Sequence, residues 1–70
     1  MAKGFKFASW LAVIHYCEIH PWIYYQAPLD YSACVVAVRG VLKNGKIRLE
    51  YAGHRFTIDR GHVDRCSYPD

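Results

Sequence analysis

Hydrophobic and polar residues alternate strictly through residues 34–66, in three short runs broken by Asn44-Gly45 and Ala52-Gly53. Asn-Gly between alternating runs is the strongest short-range hairpin signal. Both central residues of a type I′ turn need positive φ, which Asn tolerates and Gly adopts freely. A two-residue loop there sets Lys43 against Lys46, Leu42 against Ile47, Arg39 against Glu50 and Val38 against Tyr51. Strand side chains alternate between faces, so Val36, Val38, Leu42, Ile47, Leu49 and Tyr51 share a buried face, while Arg39, Val41, Lys43, Lys46, Arg48 and Glu50 share a solvated one. The same arithmetic at Ala52-Gly53 sets Glu50 against Arg55, Leu49 against Phe56, Ile47 against Ile58 and Lys46 against Asp59. Two of these pairs are opposite in charge, as a correct register favours. Ala takes positive φ poorly, so a bulge that slips the pairing by one is the alternative at this second turn.

Beyond Asp59 the chain reads Arg60-Gly61-His62-Val63, a polar stretch with one apolar anchor, and then Asp64-Arg65-Cys66-Ser67-Tyr68. A strand pair, a single helical turn and a brief closing strand resembles the end of an SH3-like barrel, over about residues 34–68. The peptide-binding motifs of SH3 domains, an early Ala-Leu-Tyr-Asp-Tyr and a late Pro-Ser-Asn-Tyr, are missing, and Tyr24-Tyr25 and Asp30-Tyr31 are too displaced to replace them. The resemblance therefore implies the fold and not proline-rich peptide binding. The expected class is mainly β: one small antiparallel SH3-like barrel spanning residues 1–70, with a short N-terminal helix left open.

The first half carries no such clear pattern. Phe7, Trp10, Leu11, Ile14 and Glu18 fall at helical spacing, while Trp10, Ala12, Ile14 and Tyr16 fall at strand spacing. The β-branched and aromatic content of residues 7–19, and the need of the barrel for one more strand, favour a strand there. Pro21 and Pro28 bracket residues 22–27, which reads as a long loop or an edge strand because proline cannot donate to a central ladder.

At 70 residues the chain makes one domain, and an apolar content of 53% with six Tyr, three Phe and two Trp supplies a core without staples. Cys17, Cys34 and Cys66 are odd in number and match no disulfide scaffold, which points to a reducing, cytoplasmic setting. Residues 7–14 are too short and too interrupted for a secretion signal or a membrane span, the latter needing about 20 apolar residues. The net charge of +3 is uneven: residues 1–37 balance Lys3 and Lys6 against Glu18 and Asp30, and the excess lies on the hairpin half.

His15-x-Cys17-x-x-His20 and His62-x-x-x-Cys66 contain metal-ligand types, but lie about 40 residues apart without a Cys-x-x-Cys knuckle, so no metal or cofactor is expected. Cys34 with a histidine, or Glu18 with Asp30, has no catalytic signature, and a barrel this small offers little concavity, so no enzyme is expected. Two surfaces remain. Trp22, Tyr24, Tyr25 and Tyr31 exceed what the core absorbs, and such residues dominate protein interfaces. The leading expectation is a small protein-binding regulator or inhibitor, of the kind phages and plasmids encode, monomeric or a small homo-oligomer. The second is an RNA- or DNA-binding module using Arg39, Lys43, Lys46, Arg48 and Arg55, weakened because no aromatic accompanies these cations in the hairpin and Glu50 and Asp59 interrupt them.

Overall fold

In the structure, a computed structural model that describes residues 5–28 and 32–69, α1 (Trp10–Ile19) precedes β1 (Trp22–Tyr25), β2 (Cys34–Val41), β3 (Ile47–Tyr51) and β4 (His54–Ile58). A 3-10 turn, Arg60–Arg65, then leads into the two-residue β5 (Cys66–Ser67). The protein is mainly β, with all strands antiparallel in one sheet of order β4-β3-β2-β1-β5.

The strand expected within residues 7–19 is instead α1. Ser9, in extended backbone, caps it by accepting the Ala12 N–H on its side chain at 3.2 Å, and no Gly or Pro interrupts the ten residues that follow. His20 returns to extended backbone, as the residue before Pro21 must. Val13 and Cys17, one turn apart, enter the core, and the Trp10 indole N–H donates to the Gly45 carbonyl at 2.7 Å. Leu11 and Ile19 stay exposed, so apolar residues surround this helix and its spacing gives no clean stripe.

Residues 22–25 are also corrected, from loop or edge strand to an interior strand. β1 pairs with β2 from Trp22↔Ala37 to Tyr25↔Cys34 and with β5 at Tyr24↔Ser67 and Tyr25↔Cys66. The prolines do not obstruct it because they lie outside the paired residues. Pro21 even contributes its carbonyl, which accepts the Val38 N–H at 2.8 Å.

The two hairpin turns exchange their expected roles. Among the described residues Ala52 alone of the non-glycines has positive φ, +53°, followed by Gly53 at +81°. This two-residue turn gives the expected β3–β4 register, with Ile47↔Ile58, Leu49↔Phe56 and Glu50↔Arg55. The β2–β3 connection is a three-residue loop in which Gly45 takes the left-handed position at +87°. Gly45 N–H donates to the Leu42 carbonyl at 3.0 Å, Leu42 N–H donates to the Lys46 carbonyl at 2.8 Å, and the Asn44 side chain accepts the Lys46 N–H at 3.0 Å. Val41 therefore meets Ile47 in place of Leu42, and Val41 packs on the core. Continued without interruption, that register would drive Arg39 against Leu49 on the buried face. A bulge between Val38 and Gly40 prevents this, setting Val38 opposite Leu49 and freeing Arg39 outward.

Ala52 carries the cost of a left-handed alanine, about 1 kcal/mol. Ala52→Asn is expected to recover most of that in denaturant melts, while Gly45→Ala loses about 1 kcal/mol at a site whose φ only glycine adopts freely.

The Tyr25 and Phe56 rings lie 5.4 Å apart, although β2 and β3 separate their strands. Across a flat sheet that separation would be roughly 14 Å, three strand spacings. The sheet is thus strongly curled. Its concave face holds Ile23, Val36, Ile47, Leu49, Ile58 and Cys66, and α1 packs over it through Val13 and Cys17. Among the described residues β4 has no second neighbour, so the sheet is curled and open.

Candidate binding face

The convex side of the curled sheet is where the sequence-derived surfaces meet. Register places Trp22, Ala37, Glu50 and Arg55 in one row across β1, β2, β3 and β4. Gly40, Arg48 and Thr57 form a second row, and Tyr24 with Val35 a third. Trp22 is 53% exposed, while its strand neighbour Ile23 is fully buried, as period-two alternation requires. The aromatic and basic surfaces, separate in the sequence, are one continuous face in the fold.

Glu50 organises the cations. Its Oε1 accepts from Arg39 Nε at 2.8 Å and lies 3.4 Å from Arg55 Nε. The Arg39 hydrogen bond, helped by the Arg55 charge, holds the Glu50 carboxyl below its usual range, so it is ionised at neutral pH. Arg48 is exposed and joins no ion pair among the described residues. Two guanidinium groups therefore share one carboxylate while Arg48 stands apart from it, and the face keeps a positive excess. Lys43 and Lys46 are exposed at the tip of the β2–β3 hairpin, at the margin of this face.

Of the four aromatic residues expected to bind a protein partner, Trp22 is exposed and Tyr24 half-buried. Tyr25 is only 8% exposed and packs against Phe56, which places it in the core and off any docking surface. Tyr31 lies outside the described residues. The alternation of residues 22–25 already puts Trp22 and Tyr24 on one side. What the sequence lacked was the register of β1 on β2, which runs from Trp22↔Ala37 to Tyr25↔Cys34 with no turn signal between the strands to set it.

The metal-ligand types are dispersed. His20 stacks on Tyr16 with ring centroids 4.1 Å apart, and His62 Nδ1 lies 3.1 Å from Asp59 Oδ1 within the cap of the 3-10 turn. Cys17 and Cys66 belong to the core. Among the described residues no three His, Cys, Asp or Glu side chains converge. Backbone donation from Gly61, with His62 alongside, holds Asp59 below the usual carboxylate range.

Burial pushes the Cys17 thiol from 9.0 up to about 11 and the Cys66 thiol up to about 12. Both are neutral at physiological pH and poor nucleophiles. Folding favours the protonated thiols, so their contribution to stability is complete below pH 9.0 and is lost as pH rises through about 11 to 12. A disulfide-exchange reagent at pH 8 should titrate Cys34 first in the native protein and all three thiols only after denaturation. Rapid native reaction of Cys17 or Cys66 would contradict their burial.

Among the described residues no helix is long and apolar enough to cross a membrane. Comparison of the chain with protein-family models, curated proteins and solved structures finds no match.

Proposed function

We propose that this chain is a non-catalytic binding module of SH3-like architecture that engages a macromolecular partner through the convex face of its sheet, with Trp22 as the anchor. The strand order and the 3-10 turn between β4 and β5 support the architecture. One observation carries the functional reading: a tryptophan half open to solvent sits in register with Glu50 and Arg55, on an interior strand whose alternate residues fill the core. Trp, Tyr and Arg are the residue types that concentrate binding energy at interfaces. Nothing in the fold requires Trp22 to be large, because its side chain points away from the buried cluster.

The test compares two exposed apolar side chains. A partner bound by the wild-type protein should be lost with Trp22→Ala and retained with Leu11→Ala, since Leu11 is exposed on α1, away from the convex face. Equal retention by both variants would move the binding surface elsewhere.

A further inference from the structure

Resting on that face, we infer that its occupant is a single-stranded nucleic acid, with Trp22 stacking on a base and Arg39, Arg48 and Arg55 holding phosphates. The chemistry is complementary in both parts. An exposed indole offers the π-surface on which an unpaired base stacks, and planar guanidinium groups match phosphate oxygens. Glu50 does not abolish this pairing. It holds Arg39 and Arg55 through their Nε atoms at one oxygen, both side chains staying more than half exposed, while Arg48 is unpaired among the described residues.

The floor between ring and cations is also built for close approach. Ala37 lies in the Trp22 row between β1 and β3, and Gly40 lies opposite Arg48. Gly40 is not needed by the fold: its φ is not positive, and a Cβ built there would meet nothing within 4 Å. A glycine inside a strand costs roughly 0.5–1 kcal/mol relative to alanine and marks either a bulge, such as the one beside Gly40, or a place where a ligand comes near the backbone. Here it keeps the surface opposite Arg48 shallow.

Two features select this occupant over others. Carboxylates are depleted at the centre of protein interfaces, whereas the centre of this face holds the ionised Glu50 between Arg39 and Arg55, a cluster that a protein partner would have to desolvate. The face is the outside of a curled sheet, so a rigid duplex would touch it only along a tangent and would hide its base faces from Trp22. A flexible single strand can follow the curve and turn a base onto the ring.

The experiment uses fluorescently labelled single-stranded DNA and RNA oligonucleotides of about 12 nucleotides, the matching duplex, and poly-glutamate of similar length, with the full chain. Single strands should bind more tightly than the duplex. Three phosphate contacts give a slope of log K against log salt of about −2, a loss of roughly 15-fold between about 50 and 200 mM. Trp22→Ala should weaken binding by about fivefold or more, Trp22→Phe should largely restore it, and Leu11→Ala should leave it unchanged. Arg48→Glu should weaken all sequences alike and make the slope shallower by about 1. Denaturant melts confirm that each variant is folded. Absence of single-strand binding at 50 mM salt overturns the inference. Trp22-dependent binding of poly-glutamate in its place keeps the face and assigns it an acidic protein. Oligonucleotide binding indifferent to both Trp22→Ala and Arg48→Glu overturns the face itself.

Discussion

Val13→Asp should unfold the protein, whereas Leu11→Asp should leave it folded. The two positions are separated by one residue, so on a strand they would share a face and suffer alike. On α1 they diverge: Val13 is fully buried and Leu11 is 60% exposed. A carboxylate at Val13 would enter the apolar cluster of Cys17 and Ile23 without a partner, at a cost of several kcal/mol. A domain of this size is stable by about 4–10 kcal/mol in total. The same carboxylate at Leu11 would sit in the first turn of α1, which carries no acidic residue, where the helix dipole favours negative charge. Far-ultraviolet circular dichroism with denaturant melts decides between these outcomes. Equal destabilisation by both substitutions would restore the strand reading of residues 7–19.

That reading went astray for a physical reason. The signals that settle α1 are a serine cap and two tertiary anchors, Val13 with Cys17 and Trp10 on Gly45, while the apolar pattern around the helix has no preferred side. The hairpin half was more legible because its faces follow from local alternation. Val36, Val38, Ile47 and Leu49 lie on the concave side as their spacing requires, and the β3–β4 register is as expected. The β2–β3 register differs because loop length is a cooperative choice. The three-residue turn gains the Trp10–Gly45 hydrogen bond and brings Val41 to the core, and the bulge at Arg39 restores the phase. Local turn chemistry at Asn44-Gly45 contains neither contact.

The binding face was legible only in pieces. Arg39, Arg48, Arg55 and Glu50 can be grouped by alternation within two successive hairpins, and the Arg39–Glu50 ion pair forms even though the bulge shifts the backbone partner of Glu50 to Ala37. Trp22 joins them because β1 inserts between β2 and β5, and no local pattern encodes that insertion. The aromatic whose absence counted against nucleic-acid binding is supplied by a strand remote in sequence.

Tyr25→Ala should destabilise the protein by about 3–5 kcal/mol, the range for loss of a well-packed core aromatic, and leave little of it folded. Tyr25 is buried on the concave face, in contact with the Phe56 ring, and desolvation raises its hydroxyl pKa. Trp22→Ala, three residues earlier on the same strand, should cost about 1 kcal/mol or less, as ordinary surface substitutions do. The contrast follows from alternation alone: β1 sends Ile23 and Tyr25 inward and Trp22 outward. Urea titrations of the two variants measure it, and the ordering matters more than either value. If Trp22→Ala were as damaging as Tyr25→Ala, the indole would be a structural element of the sheet and its exposure no guide to function. If the two differ as expected, the energy that a large exposed aromatic contributes is not being used by the fold, and binding is where it remains to be found.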